Sequence, residues 1–229
     1  MDHVRRGKLA GDIAEVTVLE LGIKLFLSYA LGSISGSLVM GRVFGGVDIR
    51  QEGSGNAGAT NALRTHGAAF ALPVIIIDIL KGALAVILVA PLAFVASDPL
   101  FSRDYVRVCC GAAAVIGHIW PMWHDFRGGK GAGTLVGAYL ALAPMVFPGL
   151  LAVWIVGVVG TGYVGFSTML AGVSAIGFAW WWYPGASELL GFAAAMALLV
   201  VFAHRSNISR MVLGTENRMT KAMFWRRSA

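Results

Sequence analysis

Charge is what this sequence has least of. Only 13% of its 229 residues are Asp, Glu, Lys or Arg, and the stretches 25–41, 131–187 and 189–203 contain none. With 57% apolar residues and a mean hydropathy of +0.74, so few charges cannot cover a soluble domain, and the chain reads as a polytopic membrane protein. Cysteine is nearly as scarce. Cys109 and Cys110 are adjacent in an apolar run, which excludes a disulfide framework or a cysteine metal site and leaves packing as their role. A cleavable leader is not expected, because Asp12, Glu15 and Glu20 interrupt the apolar core that should follow Arg5, Arg6 and Lys8. The net charge of +6 does not imply nucleic acid: the basic residues are scattered at the ends of apolar segments, as topology signals are.

Glycine, by contrast, is abundant, with 30 residues. In membrane helices small residues let backbones approach closely, so a tight bundle is expected. The expected fold is all-α, with seven transmembrane helices: about 20–44, 69–96, 105–123, 133–147, 148–162, 164–184 and 188–204. The domain reading is an N-terminal extension (1–18), one membrane domain (19–217) and a basic tail (218–229) with Lys221, Arg226 and Arg227. The second span carries Asp78 and Lys81 at i, i+3 spacing, which should face the bundle as an ion pair.

Three polar stretches punctuate the apolar ones. Residues 53–64 hold three glycines, Ser54, Asn56, Thr60, Asn61 and Arg64; backbone N–H groups and a guanidinium suit a phosphate, although such stretches also serve as plain connectors. The second, His124 to Thr134, sets Lys130 between Gly129 and Gly131 at the start of a helix, but it fails the G-x-x-x-x-G-K-[ST] nucleotide pattern. The third runs from His204 through Asn207 to Glu216 and Asn217. If 131–187 contains three short spans, all three stretches emerge on one face. The positive-inside rule makes that face cytoplasmic and the N-terminus external. A site for more than one phosphate follows.

In these residues the chain resembles the acyl-phosphate-dependent glycerol-3-phosphate acyltransferases of bacteria (PlsY type). The markers run in order from Gly32 to Arg218: Gly32-Ser33-Ile34, Asp48-Ile49-Arg50, residues 53–64, Asp78-Ile79-Leu80-Lys81-Gly82, Gly117-His118-Ile119, Gly128-Gly129-Lys130-Gly131, His204-Arg205 with Asn207-Ile208, and Gly214-Thr215-Glu216-Asn217. The resemblance implies seven helices in the bacterial cytoplasmic (inner) membrane, an external N-terminus and a cytoplasmic-face site. It implies transfer of a fatty acyl group from acyl phosphate to the sn-1 hydroxyl of glycerol 3-phosphate, giving lysophosphatidate and inorganic phosphate, with no cofactor or metal. By motif, Ser54, Asn56, Thr60, Asn61 and Arg64 would hold phosphate, with Gly55, Gly129 and Gly131 in the same loops. Lys130 would bridge phosphates, His204 and Asn207 would position glycerol phosphate, and Glu216 and Asn217 complete the third motif. A soluble enzyme that makes acyl phosphate is the partner the family implies, beside membrane lipid.

No G-x-S-x-G elbow or suitably placed cysteine is present, so no acyl-enzyme is expected. An acyl phosphate is already activated, and alignment plus stabilisation of the leaving phosphate suffices, with Lys130, Arg64 and His204 as the catalytic candidates. The base is left open between His204 and a substrate phosphate, with His118 a weaker candidate read more readily as a packed, hydrogen-bonded residue. The chain departs from the family's Thr-Arg-Tyr-Val-Ser at Thr161-Gly162-Tyr163-Val164-Gly165, with no replacement for the arginine evident. That departure keeps a weakly active paralogue in view. From another class, the alternative is a transporter or binding protein for a small phosphorylated solute, which would show an internal repeat and midplane polar groups.

Overall fold

The computed structural model describes residues 2–93 and 100–223, with side chains from Val16 onward. Residues 94–99, where the second span was expected to end, lie outside the described residues, as do Arg226 and Arg227 of the tail. So do the side chains of Arg5, Arg6 and Lys8. Among the described residues the fold is helical throughout, without strands.

The chain enters on α1 (Asp2–Gly32), in which the backbone of the N-terminal residues is continuous with the first apolar stretch. It then bends by 44° into α2 (Gly36–Val43), so the stretch expected as one helix is two. Next come a 3-10 turn (Ile49–Gln51) and α3 (Ala59–His66), followed by α4 (Ala68–Leu84), which runs on through a π turn at Ala85–Val89. The remaining helices are α5 (Arg103–Ile119), α6 (Ala132–Leu142), α7 (Val146–Thr161), α8 (Val164–Trp182), α9 (Ser187–Ala203) and α10 (Arg205–Val212). Two described helices are long and apolar enough to cross a membrane, Ala68–Val89 and Val164–Trp182, or up to four if each bent pair is one span; α6 and α7 are shorter apolar helices.

Packing follows the solvent. Large residues such as Leu72, Ile76, Leu88 and Leu198 face outward, whereas the interior is rich in alanine and glycine. Lipid is as apolar as leucine, so helices gain by close approach rather than by hiding large side chains. The closest pairs are α1 with α5, α4 with α6, α7 with α8, and α8 with α9. At Gly137 the α6 backbone lies on the Ile79 carbonyl of α4, with no room for a Cβ. Cys110 is buried and Cys109 half-buried, both free thiols in α5.

The α1–α2 break has a cause in α4. Breaking a helix inside apolar surroundings leaves backbone groups that must find partners. Lys81 Nζ donates to the Ile34 carbonyl at 2.7 Å, and the Gly36 N–H donates to Asp78 Oδ1 at 3.3 Å. The ammonium's other two hydrogens meet Asp78 Oδ1 at 2.9 Å and His118 Nδ1 at 2.8 Å. An ammonium only donates, so His118 Nδ1 accepts and its ring proton sits on Nε2. Asp78, Lys81 and His118 are each at most 4% exposed. The pair expected to face the bundle does so, and it ties α4 to the break and to α5.

Candidate active site

The three polar stretches meet at one end of the bundle. Ser37 Oγ of α2 donates to the Ala57 carbonyl at 3.0 Å, holding the first stretch against α2. Asn61 secures the stretch from within: its Oδ1 accepts the Ser54 N–H at 2.8 Å, and its Nδ2 donates to the carbonyls of Ile49 (3.1 Å) and Glu52 (2.9 Å). Arg50, paired with Asp48, reaches the His124 carbonyl at 3.0 Å and so joins the first loop to the second. Much of the first stretch is therefore helix rather than loop. Gly58 is the start of α3 and offers no side-chain cap, and the Ala59 and Thr60 amides have no backbone acceptor.

A cavity of about 420 Å³ opens among these stretches. Its polar end is lined by Ser54, Asn56, Thr60, Asn61 and Arg64 from the first stretch, Lys130 from the second, and His204, Asn207, Arg210, Glu216 and Asn217 from the third. Its other arm is apolar, reaching along α6, α7 and α8 past Leu135, Val136, Tyr139, Leu150, Trp154 and Gly172. The side chains of Ser54, Asn56, Thr60 and Arg64 make no hydrogen bond or ion pair among the described residues, so four donors surround the polar end unengaged.

Lys130 is held by a relay. Its Nζ donates to Asn207 Oδ1, Asn207 Nδ2 donates to Glu216 Oε1 at 2.8 Å, and Glu216 Oε2 takes Arg210 Nε at 2.6 Å. Burial, then the nearby Arg210 and Arg205, lower the Lys130 pKa to about 8, with Glu216 acting the other way. His204 is 4% exposed, at the kink between α9 and α10. Its Nδ1 lies 2.8 Å from the Val200 carbonyl, which can only accept. Nδ1 therefore carries the proton, leaving Nε2 a free lone pair in a cavity-lining ring. Among the described residues no three His, Cys, Asp or Glu side chains are grouped to hold a metal ion.

A polar, cationic end joined to an apolar arm, inside a helical membrane protein, matches one sequence family along most of the chain. The profile described as glycerol-3-phosphate acyltransferase covers residues 22–214. The chain belongs to this family. A glycerol-3-phosphate acyltransferase of Halalkalibacterium halodurans is 41% identical over 209 residues, covering 88% of this chain and 97% of the relative. One from Synechococcus sp. (strain JA-2-3B'a(2-13)) is 43% identical over 191 residues, covering 83% and 90%. The crystal structure of PlsY (YgiH), an integral membrane glycerol 3-phosphate acyltransferase, in its glycerol 3-phosphate form, superposes with a TM-score of 0.76 at 31% identity, covering 87% of this chain and 95% of that one. The chain is thus an integral membrane acyltransferase of phospholipid synthesis, of the PlsY type.

Ten of the expected site residues line the cavity, but they fall into two groups. Asn61 is 1% exposed and its amide is fully engaged within the loop, so it shapes the site rather than reaching out of it. Gly55, Gly129 and Gly131 do not line the cavity. Gly131 caps α6 at φ 85°, and Gly129 lies against the His118 ring without space for a Cβ. Arg210 was not expected; its signal was the i, i+3 spacing from Asn207 on one face of α10.

The two departures at the α7–α8 turn also have structural accounts. A Cβ at Gly165 would sit 2.8 Å from Asn207 Cγ, so glycine there is what lets Asn207 lie against α8. Gly165→Ser is expected to push Asn207 off Lys130 and lower kcat/KM for acyl transfer about tenfold, in line with one lost charge-assisted hydrogen bond. Steady-state kinetics beside a thermal melt checks this. Gly162 ends α7 at φ 74°, where an L side chain is strained, and a Cβ there would press on the Met223 sulfur. Beside this turn Arg218 stacks over the Tyr163 ring, 4.6 Å from its centre, without lining the cavity.

Proposed function

We propose that this protein transfers a fatty acyl group from acyl phosphate to the sn-1 hydroxyl of glycerol 3-phosphate, giving lysophosphatidate and inorganic phosphate. The observation that carries this reading is the single cavity whose cationic end is continuous with an apolar arm between α6, α7 and α8. An acyl phosphate has the same two parts, a chain that lipid-like walls accept and a phosphate that N–H groups and cations accept. The acceptor phosphate takes the remaining donors. Ser54, Asn56, Thr60, the Ala59 and Thr60 amides and Arg64 hold one phosphate; Lys130 lies between the two; His204 and Asn207 position the glycerol phosphate.

The acceptor hydroxyl attacks the acyl carbonyl carbon, forming the ester C–O bond. The bond from that carbon to the bridging oxygen breaks, and its electron pair leaves on inorganic phosphate. The hydroxyl proton passes to His204 Nε2 or to a phosphate oxygen. Lys130 and the loop amides stabilise charge on the departing phosphate, which is where preorganised donors act most strongly. No protein nucleophile takes part. A single-turnover experiment tests this: with acyl phosphate alone the enzyme should release no stoichiometric burst of phosphate, and adding glycerol 3-phosphate should yield phosphate and lysophosphatidate together. A phosphate burst before acceptor is added would contradict direct transfer.

Charge on Lys130 sets an alkaline limit. With a pKa of about 8 in the free enzyme, the amine loses its proton as pH rises through that value, and anion binding weakens. kcat/KM should therefore fall above about pH 8, because it reports free-enzyme ionisation. In Lys130→Arg that limb should disappear, whatever activity remains.

We place seven crossings in the bacterial cytoplasmic membrane by counting α1 with α2, α4, α5, α6, α7, α8 and α9 with α10. The site then faces the cytoplasm and the N-terminus lies outside, as the distribution of Arg and Lys favours. Acyl phosphate would come from a soluble enzyme on that side.

A further inference from the structure

The segment after α10 does more than end the chain. Glu216 is the carboxylate that joins Asn207 to Arg210, and its side chain is only 6% exposed. It arrives on residues that no helix of the bundle carries. The first residues of that segment are held by the end of α10, where the Thr215 and Glu216 N–H groups donate to the Arg210 carbonyl at 2.8 and 3.1 Å, and its later ones by the α7–α8 turn. The Met219 N–H donates to the Gly162 carbonyl at 2.8 Å, and Arg218 stacks over Tyr163 at 4.6 Å. Met223 is 3% exposed, its sulfur 2.8 Å from where a Cβ of Gly162 would stand. A buried methionine is unusual company for Arg218 and Lys221, which are both exposed. It fills the space left by the glycine. Glycine at 162 is favoured twice, by the left-handed backbone and by the space it leaves for Met223.

We propose that residues 214–223 form a strap, latched on Gly162 and Tyr163 by Met223 and Arg218, which positions Lys130 for anion binding through Glu216 and Asn207. Met223 and Arg218 are positioning residues, not catalytic ones. The inference deepens the reading in which Lys130 holds substrate phosphate and rests on that reading. With the latch open, Glu216 keeps its bonds to Arg210 but its carboxylate is no longer held squarely on Asn207, Asn207 fixes the ammonium less firmly, and Lys130 gains access to water. Arg205, Arg210 and Glu216 act on the Lys130 charge, and Arg64, Asp78, His118 and His204 line the same cavity; of these only Glu216 lies in the strap.

The test uses the full-length protein in detergent and two readouts. The first is the rate at which a small amine-directed reagent labels Lys130 at neutral pH, with and without inorganic phosphate, measured by mass spectrometry. The second is the division of effect between KM for glycerol 3-phosphate and kcat. Met223→Ala and Arg218→Ala are expected to speed Lys130 labelling, weaken its protection by phosphate, and raise KM about tenfold, the size of one lost charge-assisted contact. Met223→Leu, which refills the gap, should restore both. If Met223→Ala does not fold, Arg218→Ala at its exposed position carries the test. Wild-type labelling and wild-type KM in Arg218→Ala, or in folded Met223→Ala, would overturn the strap. Faster labelling in the variants of a protein that shows no turnover would keep the strap and remove the transferase reading.

Discussion

Lys130→Ala is expected to lower lysophosphatidate formation at least about a hundredfold, the loss typical when one preorganised donor at a developing charge is removed. The reason is position as much as charge. Lys130 sits just before α6, whose first turn also offers positive partial charge to an anion, between the stretch that bears Arg64 and the one that bears His204. Arg64→Ala should do less, because Ser54, Asn56, Thr60 and two free amides remain at that end of the cavity. Steady-state assays with acyl phosphate and glycerol 3-phosphate check this, with a melt showing that the variant is folded. A folded Lys130→Ala enzyme within a few-fold of wild type would remove the residue from the centre of the site.

Asp78→Ala should have the largest effect on stability. It strands the Lys81 ammonium, 2% exposed, and takes the acceptor from the Gly36 N–H at the α1–α2 break. Removing one partner of a buried pair costs about 3–5 kcal/mol, because the remaining charge is uncompensated. The variant should unfold at clearly lower temperature in detergent, with α2 and the loop it supports the first to loosen. Replacing both, as Asp78→Leu with Lys81→Met, should recover only part of the loss, since Ile34 and Gly36 still lack partners. A wild-type melting temperature for Asp78→Ala would show that the break is held by other means.

These two residues mark what could and could not be read from sequence. Asp78 and Lys81 were legible as a pair because two charges three residues apart in an apolar helix have little choice but to meet inside the bundle. Their purpose was not: nothing in 25–41 announces a bend, since Gly32-Ser33-Ile34-Ser35-Gly36 is also acceptable in a membrane helix. The cavity's polar residues were legible by type, as hydroxyl, amide and cationic side chains in glycine-rich stretches. Which of them reach outward was not. Asn56 and Asn61 look alike in sequence, yet Asn61 closes the loop on itself while Asn56 makes no protein hydrogen bond among the described residues. The contacts of Arg218 and Met223 were not legible for a different reason: they are made to the α7–α8 turn, more than fifty positions earlier in the chain, and no local pattern encodes such a contact.

The most direct test of the central claim is the choice of acyl donor. Purified protein in lipid or detergent is given glycerol 3-phosphate with either acyl phosphate or the corresponding acyl-CoA, and lysophosphatidate and free phosphate are followed together. The account predicts product and phosphate in equal amounts from acyl phosphate and none from acyl-CoA. Equal use of acyl-CoA, or no product from acyl phosphate by the folded protein, would contradict it.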